Sequence, residues 1–159
     1  MEVSDFKNTV LQNFRKLSEQ MTKILNNLGE KYGITMLQLL ILFELFHHGK
    51  HTIGSLANSI CVAEANLSLI CKKLEQKGFI RRIRNIDDAR VVEVILTPSG
   101  KKLVCEIDQE LDLMFGERLR FLEENSQVLI TLGMGKLQDL LEEVTEENNR
   151  TSQQGKRRY

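Results

Sequence analysis

The sequence predicts a mostly α-helical chain of 159 residues with one small β-hairpin. Three observations carry this. Apolar residues recur at steps of three and four over most of the chain. Two β-branched runs, residues 79–84 and 91–96, flank the polar connection 85–90. Gly33, Gly49, Gly78 and the pair Thr97-Pro98 separate the periodic segments.

The first helix is expected over residues 3–31, with Phe6, Val10, Phe14, Leu17, Met21, Ile24, Leu25 and Leu28 on one stripe and Ser4 as its cap. A helix this long on a small domain usually packs beyond its own core, for example against a second subunit. After Gly33, Thr35 to Gln38 has the form of a capping box, in which hydroxyl and amide each satisfy the other residue's backbone. The helix that follows, to about His48, is apolar nearly all round and reads as the buried centre. Residues 51–53 are short and β-prone. A short helix over 54–60 directs Leu56, Ala57 and Ile60 inward, and a turn at 61–63 leads to a helix over 64–77 with Leu67, Ile70, Cys71 and Leu74 inward. Gly78 ends it. After the hairpin, Thr97 caps a helix with Pro98 at its first position, running to about Glu124. Asn125-Ser126 opens the last helix. Gly133-Met134-Gly135 marks a kink or turn within that region, and the polar tail from Glu146 on is expected to be disordered.

Bulk properties exclude several classes. Hydrophobic content of 42% and charged content of 28% are those of an ordinary globular protein. The apolar run 39–46 is broken by Glu44 and too short to span a bilayer, so no membrane partner is expected. The N-terminus lacks the apolar core of a secretory leader. Cys61, Cys71 and Cys105 are odd in number and widely spaced, which fits reduced thiols in the cytoplasm. No nucleophile elbow, phosphate loop or paired-carboxylate motif is present, so neither an enzyme nor a cofactor is expected. His47, His48 and His51 lack the spacing of a metal site, and none is predicted.

Net charge is zero, yet charge is segregated. Residues 71–90 hold seven bases against three acids, a net of +4, while residues 108–147 hold eleven acids against three bases, a net of −8. One surface is thus suited to a polyanion, and the acidic segment reads as a solvated helical face. Helix, turn, helix and then a basic hairpin is the order of a winged helix-turn-helix. The second helix fits the major groove of duplex DNA, and the hairpin can reach phosphates or the adjoining minor groove. The candidate DNA-binding residues are Asn66, Ser68, Leu69, Lys72 and Lys73 on the reading helix, and Arg81, Arg82, Arg84, Asp88 and Arg90 on the wing.

The stretches TIGSLANSI (52–60), LSLICKKLEQKGFIRR (67–82), DDAR (87–90) and LTPSGKKL (96–103), in this order and spacing, resemble the MarR family of bacterial transcription regulators. The resemblance covers roughly residues 35–103. It implies a homodimer in which residues 1–34 and 98–147 form a helical dimerisation region. Residues 35–97 would be the winged DNA-binding lobe, reading a pseudo-palindrome and acting more often as a repressor, and residues 148–159 a disordered basic tail. It also implies that a small-molecule effector controls many relatives. Here such a ligand is expected among Phe14, Phe43 and His47, between the first, second and fifth helices.

The chain departs from the family pattern at the start of the reading helix. Ala63 offers no side-chain cap, Glu64 is negative where phosphates would lie, and Leu69 replaces a position that is often arginine. Asn66 and Ser68 keep hydrogen-bonding groups for base edges. On the wing, Ala89 separates Asp88 from Arg90, and Arg90 is held by Asp88, enters the minor groove, or does both. These departures leave a second class open: a winged-helix module that binds a protein partner or senses a ligand without reading DNA. The cysteines are expected to be small core residues, with Cys71 facing inward.

Overall fold

A computed structural model describes the backbone of residues 2–84 and 91–156, with side chains through Glu147. The element order is α1 (Val3–Lys31), α2 (Met36–His48), β1 (His51–Thr52), α3 (Ile53–Ser59), α4 (Glu64–Gln76), β2 (Ile80–Arg84), β3 (Val92–Leu96), α5 (Pro98–Leu119) and α6 (Glu124–Lys156). The mostly helical class with a small hairpin is what the sequence predicts.

Two compact units divide the chain, Met1–Gln109 and Glu110–Tyr159. The first is centred on α2. Its Leu39, Ile41 and Leu42 are fully buried, with Leu56 of α3, Leu67 and Leu74 of α4, Val94 of β3 and Ile107 of α5. The Thr35–Gln38 capping box forms as expected: the Gln38 N–H donates to Thr35 Oγ1 at 3.2 Å and the Thr35 N–H to Gln38 Oε1 at 3.1 Å. The short β-prone stretch after α2 joins the hairpin, giving an antiparallel sheet of order β1-β3-β2. In its register His51 faces Val94, and Ile80 to Arg84 face Leu96 to Val92.

The junction between hairpin and α5 is unusually close. Thr97 donates its N–H to Phe79 O at 3.0 Å and its hydroxyl to Gly78 O at 2.6 Å, while its Oγ1 accepts from the Gly100 N–H at 3.0 Å. One threonine thus caps α5 and pins it to the end of α4. A Cβ at Gly100 would stand 2.0 Å from Phe79 O, so only glycine fits. Gly78, at φ 77°, closes α4 in the left-handed conformation.

The second unit holds the end of α5 and all of α6. Its helices are joined by a turn in which Phe121 N–H donates to Arg118 O and Leu122 N–H to Leu119 O. Ser126 and Gln127 donate their N–H groups to Glu123 O, which opens α6.

Four local features differ from the sequence reading. Helix α1 starts one residue before Ser4, with extended Glu2 as its N-cap and no side-chain cap. Helix α5 stops at Leu119 rather than near Glu124, because the turn captures its last carbonyls. Gly133-Met134-Gly135 neither kinks nor ends α6; an isolated glycine costs a helix only about 1 kcal/mol. The tail expected to be disordered from residue 148 continues α6 as helical backbone to Lys156, since no proline or glycine interrupts residues 136–154.

Candidate nucleic-acid interface

Helices α3 and α4 turn through 106°, within the range of a helix-turn-helix. The turn is closed by the Cys61 N–H to Asn58 O at 3.1 Å and the Val62 N–H to Ala57 O at 3.0 Å, with Cys61 at φ 56°. Helix α3 is capped by Thr52, whose Oγ1 accepts from the Ser55 N–H at 3.1 Å. As expected, Ala63 gives α4 no side-chain cap.

The periodicity of α4 sorts its side chains onto two faces. Leu67, Cys71 and Leu74 are fully buried. Asn66, Leu69, Lys72 and Lys73 are exposed together on the outer face. Ser68 goes elsewhere: it is half-buried and lines an open cleft of about 660 Å³ with Thr52, Ile53, Gly54, Glu64, Ala65, Val91 and Val92. The Glu64 carboxylate lies over the first turn of α3, so close that a Cβ at Gly54 would meet it at 3.8 Å.

The wing arginines are not equivalent. Arg81 and Arg84 are exposed, and neither has a carboxylate partner among the described residues. Arg82 is tied down. Its Nε donates to Glu75 Oε2 at 2.7 Å and its backbone N–H to Glu75 Oε1 at 2.8 Å. The donated backbone hydrogen bond, then the side-chain bond and charge of Arg82, hold the Glu75 carboxyl below its ordinary value. Arg82, predicted as a DNA contact, also braces the reading helix to the wing through these two bonds. Lys77 is committed as well, donating to Gly33 O. Asp88 and Arg90 lie outside the described residues.

The basal histidines share one acid. Glu44 Oε2 lies 3.3 Å from His48 Nδ1 and Glu44 Oε1 lies 3.3 Å from His51 Nε2. Among the described residues no group of three or more His, Cys, Asp and Glu side chains is placed to hold a metal ion. Of the expected effector residues, Phe43 and His47 stack with ring centroids 6.0 Å apart, whereas Phe14 lines an open groove made by α1 alone. Cys71 is buried, and burial pushes its thiol up to about 11, while Cys61 and Cys105 are exposed.

Sequence reading did not find three of these residues. Glu75 stands seven positions before Arg82, a separation with no local meaning until α4 and β2 pack together. Glu44 carries no signal inside an apolar helix. Gly100 was visible only as part of the LTPSGKKL stretch.

Comparison with known proteins agrees with this architecture. The family model described as the MarR family matches residues 34–92. The chain is 34% identical over 135 residues to the HTH-type transcriptional regulator FarR of Neisseria gonorrhoeae, covering 85% of each protein. It is 29% identical to the HTH-type transcriptional repressor MdtR of Bacillus subtilis, covering 79% of each. Among solved structures, the S. aureus MepR–DNA complex superposes with a TM-score of 0.69 at 25% identity, over 82% of this chain and 96% of that one. A helix-turn-helix with its wing, flanked by long helices and shared at this coverage, places the chain in the MarR family of winged helix-turn-helix transcriptional regulators.

Proposed function

We propose that the chain acts in the cytoplasm as a homodimeric repressor, placing α4 in the major groove of two half-sites and Arg81 and Arg84 on the flanking phosphates. The observations that carry this are the outer face of α4, where Asn66, Leu69, Lys72 and Lys73 stand exposed, and the exposure of Arg81 and Arg84 on the wing without a carboxylate partner among the described residues. Asn66 has the donor and acceptor needed for a bidentate contact to adenine. Glu64, one of three sequence arguments with Leu69 and Ala89 for a module that does not read DNA, lies next to the first turn of α3, where a Cβ at Gly54 would meet its carboxylate at 3.8 Å.

Dimerisation is supported by the distribution of apolar surface. Among the described residues, every exposed large apolar side chain except Leu69 and Ile83 lies on α1 or beyond Asp112. A second copy is the occupant that would cover these faces and set two reading helices about 34 Å apart, one duplex turn. An effector near the Phe43–His47 stack would act by binding one separation of the two lobes more tightly than the other.

Fluorescence anisotropy with random-sequence duplexes at two salt concentrations tests the proposal. Affinity is expected to fall steeply with salt, with a slope of about one per phosphate neutralised. No binding to any duplex at low salt would overturn it. Sedimentation should give twice the 18.3 kDa chain mass; a monomer would remove the two-half-site arrangement.

A further inference from the structure

We propose that Leu69 is a specificity residue that reads the C5 methyl group of a thymine, in a base pair next to the adenine taken by Asn66. The inference deepens the proposed function and rests on α4 entering the major groove.

Leu69 is 63% exposed and is the one large apolar side chain exposed on α4. It is not the spill of a misplaced core stripe, because Leu67, Cys71 and Leu74 fill the opposite face and are fully buried. Its neighbours on the outer face are Asn66 one turn before and Lys72 and Lys73 one turn after. An apolar group ringed by an amide and two ammonium groups does not suit a greasy protein partner. It suits a polyanion that also offers an apolar spot.

Duplex DNA offers one such spot in its major groove, the thymine methyl. The spacing agrees. Three residues of helix rise about 4.5 Å, close to the roughly 3.4 Å between base pairs along one strand. Asn66 and Leu69 therefore address neighbouring pairs. Ala65 is exposed too, but it lines the cleft beside α3. A leucine on a thymine methyl next to an asparagine on adenine predicts an operator biased toward A·T at these two positions.

The test uses the full-length protein and a duplex selected by it from a random pool. Each thymine is replaced in turn by deoxyuridine, which removes only the methyl group, and affinities are measured for the wild type and for Leu69→Ala. One thymine per half-site is expected to cost the wild type about fourfold when replaced, and about 15-fold when both half-sites are changed. Leu69→Ala should bind thymine and deoxyuridine duplexes alike, with an unchanged melting temperature because the side chain is exposed. If no replacement affects the wild type, or if each affects Leu69→Ala equally, DNA binding stands and the methyl contact is refuted. If no duplex is retained at any salt, the DNA-reading function fails and this inference with it.

Discussion

Glu75 accepts both the backbone N–H and the Nε–H of Arg82, at 2.8 and 2.7 Å, so a single carboxylate fastens the end of the reading helix to the first strand of the wing. The pair is partly exposed, Arg82 at 29% and Glu75 at 33%, so solvent weakens the charge attraction. Its value lies in geometry: it fixes the angle at which the ribbon leaves α4.

Glu75→Gln should therefore cost about 1 kcal/mol of stability, read by chemical denaturation. The pH dependence has a definite sign. Because Arg82 lowers the Glu75 carboxyl in the folded state, its stabilisation is present above the ordinary value of 4.5 and is lost as pH falls below it. The glutamine variant should lose that part of the acid sensitivity. An acid-unfolding profile identical to the wild type would refute the brace.

Arg82→Ala and Arg84→Ala should separate two roles on one strand. Arg84→Ala is expected to leave the melting temperature unchanged, weaken binding to all duplexes and reduce the salt slope by about one. Arg82→Ala should lower the melting temperature and weaken binding with little change in slope. The same slope change in both would contradict the assignment of Arg82 as a brace.

Gly100→Ala should destabilise the first unit by roughly 2–3 kcal/mol, since its Cβ would meet Phe79 O at 2.0 Å. Calorimetry should show a fall of about 4–12 °C. Ser99→Ala, one residue away and exposed, serves as the control.

Cys71 should resist alkylation at pH 8 while Cys61 and Cys105 react, because the thiol is buried and held protonated to about pH 11. A raised thiol leaves stability intact below its ordinary value of 9.0 and removes it as pH climbs through about 11. Mass spectrometry after brief labelling checks the first point, and Cys71→Ala, flattening the alkaline arm of the stability curve, checks the second.

The chain order alone determined the element sequence and which face of each helix is apolar. Capping at Thr35 and Thr97, the stop at Gly78 and the β-branched runs are local signals, set by side chains within four residues of the backbone groups they satisfy. Charge segregation was legible for the same reason, since Lys72, Lys73, Arg81 and Arg84 lie close in sequence. Tertiary packing decided how those charges are spent. Only the approach of β2 to α4 assigns Arg82 to Glu75, only the α3–α4 turn lays Glu64 over Gly54 and draws Ser68 into a cleft, and only the seating of α5 on Phe79 makes Gly100 obligatory. Partners separated by seven or more residues leave no periodic trace in a sequence, because the distance between them is set by the packing of elements and not by the chain.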